Sequence, residues 1–170
     1  WLRHDHARQL VSAEVRPLAD GVEARYSDES VQSGFISRWL EGQRSASFGR
    51  FRFPCLAEIE YQSLQGLNLL ASAFLTPTGT GTLLLHARIA TRQGRLPAWC
   101  KRWLLTPLFR QILKQDQQIL ERTAAHQQRF SGALPALKNT ELDSLGPAIR
   151  HLLAGGAALD ILTRQQKLWL

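Results

Sequence analysis

The stretch LNLLASAFLTPTGTGTLLLHARIAT, Leu67–Thr91, decides the fold. Two apolar runs flank the turn-rich TPTGTGT, which reads as a pair of antiparallel strands. The period then changes. Pro97 opens a helical pattern that continues to about Arg129. Within it Pro107 marks a break or restart, because proline tolerates the first helical turn. Strands first and a long helix afterwards predict an α+β fold, a curved antiparallel sheet gripping one helix. A sheet wrapped on a helix makes a natural apolar cavity, and such cavities bind ligands.

Upstream, QLVSAEVRPLADGVEARYSD (Gln9–Asp28) reads as a hairpin. Val11, Ala13 and Val15 alternate with Ser12, Glu14 and Arg16; Asp20-Gly21 supplies the turn, and Val22, Ala24 and Tyr26 alternate again. Ser27–Gly49 is rich in Ser and Gly and holds Phe35, Trp39 and Leu40, so it is expected to be an ordered excursion that covers something. RFRFPCLAEIEYQ (Arg50–Gln62) predicts one extended strand with Pro54 at an edge or bulge. The expected total is five to six strands. A second helix fits NTELDSLGPAIRHLLAGG (Asn139–Gly156), capped by Thr140 or Asp143 and ended by Gly155.

The 170 residues suffice for one domain with a real core. The chain is 44% apolar and 21% charged, which marks a globular protein. No apolar run reaches the length of a membrane span. A net charge of +7 invites nucleic acid, but the basic residues are scattered and no aromatic-interleaved basic motif occurs, so no nucleic-acid partner is expected. Cys55 and Cys100 form neither a disulfide framework nor a CxxC pair and read as small buried hydrophobes, which fits a reducing, cytoplasmic setting. The chain has no Met and opens on Trp1. The expectation is a fragment of a longer polypeptide, a single domain over residues 1–170.

One residue breaks the helical pattern. In FRQILKQDQQILERT (Phe109–Thr123), the residues Phe109, Ile112, Ile119, Leu120 and Thr123 share a face with Asp116 at the same-face spacings of an α-helix. Arg110, Lys114, Gln117, Glu121 and Arg122 form the opposite, solvated face. Asp116 is thus expected to face inward. A carboxylate there must be paired, hydrogen-bonded, protonated or bound to a cation. Arg88, Arg92, His86 and a metal are the candidate partners, and a structural ion pair stays open beside the metal.

The stretch LPAWCKRWLLTPLFRQILKQDQQILERTAAHQQRF (Leu96–Phe130) resembles the catalytic domain of Rieske-type non-haem iron oxygenases, in the branch of pheophorbide oxygenase and related aromatic-ring hydroxylases. In that family a Leu-Pro-rich entry leads to a helix of the form F…xxDxxILExQ, which ILKQDQQILERT resembles. The TPTGTGT strand pair and ARQLVSAEVRPLADGVEARY are similar to further family segments, so the likeness covers most of residues 7–130. It implies a helix-grip, START-like sheet wrapped around a long C-terminal helix. It also implies one mononuclear Fe(II) held by two His and one carboxylate. Asp116 matches the carboxylate. The histidines depart from the pattern: His4 and His6 in WLRHDHARQ lie one residue apart, so the ligands lie upstream of Trp1 or one of His4 and His6 serves. His86, His126 and His151 read as ordinary polar histidines. The 2Fe–2S cluster domain is expected upstream, with a reductase or ferredoxin as electron donor and a homo-trimer as the suggested assembly. The implied activity is O2-dependent oxygenation of an apolar, ring-containing substrate, with Phe74, Ile112 and Leu120 lining its pocket; the fragment alone is expected to be inactive. The competing expectation is a helix-grip module of the lipid-binding type, with the same sheet and helix and no metal.

Overall fold

The structure, a computed structural model, describes residues 10–27, 44–63, 66–79, 81–92, 97–128, 140 and 143–169. The chain is α+β. Six strands come first: β1 (Leu10–Leu18), β2 (Gly21–Ser27), β3 (Arg44–Arg52), β4 (Leu56–Ser63), β5 (Gly66–Gly79) and β6 (Thr82–Thr91). The long helix α1 (Ala98–Gln128) follows, then a short helix α2 (Gly146–Leu153), a 3₁₀ turn (Ala158–Asp160) and β7 (Arg164–Trp169). The strands form one seven-stranded antiparallel sheet in the order β6-β5-β4-β3-β2-β1-β7. The chain divides into two compact units, residues 1–92 with 139–170, and residues 93–138.

The first hairpin forms as its alternation requires. Val15 pairs with Ala24 and Ala13 with Tyr26, which puts all four on one face. Through Val22, Phe51, Ala57, Ala73 and Ala87 the register carries that face across five strands. At the β1–β3 end it is the core: Val15, Val22, Ala24 and Phe51 are buried together with Leu152 of α2, and Tyr26, Leu145, Ala148, Ile149 and Ile161 pack around them. Burying Leu152 alone stabilises the fold by about 1.5–3 kcal/mol.

Helix α2 has sequence-encoded ends. Asp143 Oδ1 accepts the Gly146 N–H at 2.8 Å, and Pro147 occupies the first turn. At the other end the Gly155 N–H donates to the Leu152 carbonyl at 3.0 Å and the Gly156 N–H to that of His151 at 2.9 Å. That pair of bonds is the Schellman arrangement, and it needs the left-handed backbone of Gly155 at φ 89°.

Five expectations differ from the structure. Arg50–Gln62 is not one strand: Pro54 lies in the turn between β3 and β4, where its missing N–H costs no ladder bond. Residues 44–49, read as part of an irregular excursion, form β3; residues 28–43 lie outside the described residues. The strand count is seven because β7 comes from the C-terminal segment and pairs with β1. Helix α1 runs through Pro107 without a break, so the Trp103 carbonyl loses its usual donor. It is also not the last element, since α2 and β7 follow it.

Candidate functional site

Helix α1 carries Asp116, the expected carboxylate ligand. It sits in the middle of the 31 residues and is exposed, so on α1 itself it does not face inward as the spacing predicted. Of its same-face neighbours, Phe109 and Ile112 are half-buried, while Ile119 and Leu120 are 61% and 59% exposed. Among the described residues Asp116 has no hydrogen bond or ion pair, and its own helix offers it none. The polar face is satisfied locally: Gln117 Nε2 donates to Glu121 Oε1 at 2.7 Å, and the Thr123 hydroxyl donates to the Ile119 carbonyl at 2.8 Å. Near its start the helix also bares Trp99, Trp103 and Leu104. A single helix cannot bury a stripe of this length against itself; it needs a second surface.

The other expected site residues lie on the sheet or beyond the described residues. Phe74 is on β5, cross-strand from His86, and is 40% exposed. It stands on the face opposite Ala73, hence opposite the face that α2 covers. Arg88 is on β6 across from Ser72, and the Arg92 N–H donates to the Asn68 carbonyl at 3.2 Å. His126 lies in the last turn of α1 and His151 on α2. His4 and His6 lie outside the described residues. Among the described residues no three His, Cys, Asp or Glu side chains come together as a metal-sized group. Among the described residues Asp116 is therefore not brought together with two imidazoles.

The face that carries Phe74 also holds a constellation that sequence reading did not assemble. Glu23 on β2 is 2% exposed, on the outward side of the sheet. Its Oε1 accepts from Arg16 Nε at 2.7 Å, and its Oε2 accepts from Arg50 Nε. Arg50 reaches on to Glu60, which also accepts from Gln62. Arg52 bridges Asp20 at 2.8 Å and Glu58 at 3.4 Å, and Ser72 donates to Glu58 at 3.1 Å. Arg50 lies over the Phe48 ring, 5.0 Å from its centroid. Burial works against the Glu60 charge, yet the bonds from Gln62 and Arg50 outweigh it and hold the carboxyl below its ordinary range. Burial likewise opposes the charge of Arg50, and its bonds to Glu60 and Glu23 overcome that, so its guanidinium stays charged.

The signal for this ladder was present as alternating charge, Glu14 and Arg16, Glu23 and Arg25, Arg50 and Arg52, Glu58 and Glu60. Only the strand register turns it into an array of opposite charges. With both Glu23 oxygens engaged by guanidinium groups, this carboxylate is neither a base nor a metal ligand. With Ser72 included, the ladder ties β1 through β5 together. No protein-family profile, curated protein or solved structure matches this chain.

Proposed function

We propose that this chain is the catalytic-domain part of a Rieske-type mononuclear iron oxygenase that oxygenates an apolar, ring-containing substrate with O2. The observation that supports the reading is the helical spacing that sets Asp116 on one face with Phe109, Ile112, Ile119 and Leu120, as the family's helix would require, although Asp116 is exposed on α1. In this reading the fold is the helix-grip, START-like arrangement that the resemblance implies. Asp116 would supply the carboxylate of an Fe(II) site, with two histidines from outside the described residues completing it. The bound iron would supply O2 activation; the protein supplies the ligand, the orientation and a dry pocket. The 2Fe–2S cluster would be carried outside these residues and reduced by a reductase or ferredoxin, with a cytoplasmic setting and a homo-trimer as the accompanying expectations. Among the described residues no helix is long and apolar enough to cross a membrane.

The test is the iron content and O2 consumption of the full-length protein, wild type against Asp116→Ala, with the fold of each checked by circular dichroism. The reading requires iron in the wild type and its loss from the variant. Full iron and full turnover in Asp116→Ala would end it. A protein that binds an apolar ligand, holds no iron and consumes no O2 would be the lipid-type helix-grip module instead.

A further inference from the structure

We infer that a cleft between α2, the 3₁₀ turn and β7 is a binding site for a monocarboxylate with an apolar body. The cleft encloses about 390 Å³, within the range of small-molecule sites. Val15, Pro147, Ala148, Ile161 and Leu162 give it an apolar wall. Three polar groups converge on it. Arg164 pairs with Val15 across the β1–β7 ladder and so stands on the α2 side of the sheet; it has no ion-pair partner among the described residues. Ser144 is 5% exposed, and its hydroxyl accepts from Gln166 Nε2 at 2.7 Å. That bond uses an oxygen lone pair, so the hydroxyl proton is left to donate, and no described residue takes it. His151 is the third, its Nε2 3.8 Å from Asp160 Oδ2 at the rim.

The balance of these groups selects the ligand. The buried Ser144 hydroxyl, with a spare proton, calls for an acceptor, and the exposed Arg164 adds a positive charge beside it, so a carboxylate can engage both. Asp160 is the one opposing charge. It is 66% exposed and faces His151, so solvent and the imidazole screen it. The ring lies close against Gly156, where an added Cβ would come within 2.2 Å of it. Leu162 of the lining is 85% exposed, an apolar surface at the cleft suited to the body of such a ligand. This site is independent of Asp116 and of any iron.

The experiment is a titration of the ¹⁵N-labelled full chain, followed by amide shifts, with octanoate, octanol and N-acetyl-leucine. The two carboxylates represent a free acid and a peptide C-terminus, and the tighter binder identifies the source. Saturable shifts are expected at Ser144, Ala148, Ile161 and Arg164, with octanol at least tenfold weaker than the better carboxylate. Arg164→Gln should weaken that carboxylate about tenfold, and Ser144→Ala should weaken it as well, by a smaller factor. Octanol binding as tightly as the carboxylates, shifts confined to other residues, or a folded Arg164→Gln variant with unchanged affinity would each overturn the inference.

Discussion

Replacing Glu23 with Gln tests the energetic reading of the charged face. The substitution keeps the shape, removes the charge and turns an amide N–H₂ toward a guanidinium. Breaking a fully buried pair costs about 3–5 kcal/mol. Two features of the site lower that figure. Arg16 keeps half of its side chain in water, so its share is within about 1 kcal/mol. Arg50, with only 15% of its side chain exposed, retains Glu60 and is not orphaned. The expected loss is therefore about 2–3 kcal/mol, which for a chain of this size lowers the melting midpoint by about 4–12 °C. Urea unfolding followed by circular dichroism measures it, with the slope unchanged between wild type and variant. The triple variant Glu23→Leu, Arg50→Met, Glu60→Leu removes all three charges together and should unfold within about 1 kcal/mol of wild type. A loss below about 0.5 kcal/mol in Glu23→Gln, or an equal loss in Arg16→Gln, would refute the assignment of the cost to a desolvated carboxylate.

Other variants probe the ends and the core of α2. Leu152→Ala should cost about 2–5 kcal/mol, read from urea midpoints, because Leu152 is buried at the centre of the sheet-facing core. Gly155→Ala should cost about 1–2 kcal/mol in the same assay, since φ 89° crowds a Cβ. Asp143→Ala should cost about 1 kcal/mol through the lost cap on the Gly146 N–H, and Asp143→Asn only a few tenths. The depressed carboxyl of Glu60 binds fewer protons folded than unfolded, so its contribution is present at neutral pH and lost as pH falls through its folded value. Glu60→Gln should accordingly flatten the acid limb of a stability-against-pH curve and leave its alkaline limb unchanged.

Much of the fold was legible because period-2 and period-3.6 patterns are local. The β1–β2 hairpin and the β5–β6 pair follow from alternation and from Asp20-Gly21 and TPTGTGT alone. Gly155 ended α2 where expected because a left-handed cap depends on one residue. The misses share a cause. Pro54 looked like a flaw in a strand because only the pairing of Phe51 with Ala57 reveals a turn between them. Strand β7 has a polar sequence, RQQKLW, whose membership in the sheet comes from its partner β1. Pro107 sits inside α1 because one missing hydrogen bond, about 3 kcal/mol, is offset by the many others of a 31-residue helix.

The candidate site was legible to the same depth and no further. Helical spacing puts Asp116 on the stripe of Ile112 and Leu120 whatever surrounds the helix, but spacing says nothing of what the stripe meets. Phe74 shares its face with Arg52 and the charge ladder, whereas Leu75 and Leu85 share theirs with Ala73 and Ala87. The register settles the two faces of the sheet, one apolar and one charged, and helical spacing settles the stripe of α1; each is a property of its own unit, legible once the local period is known.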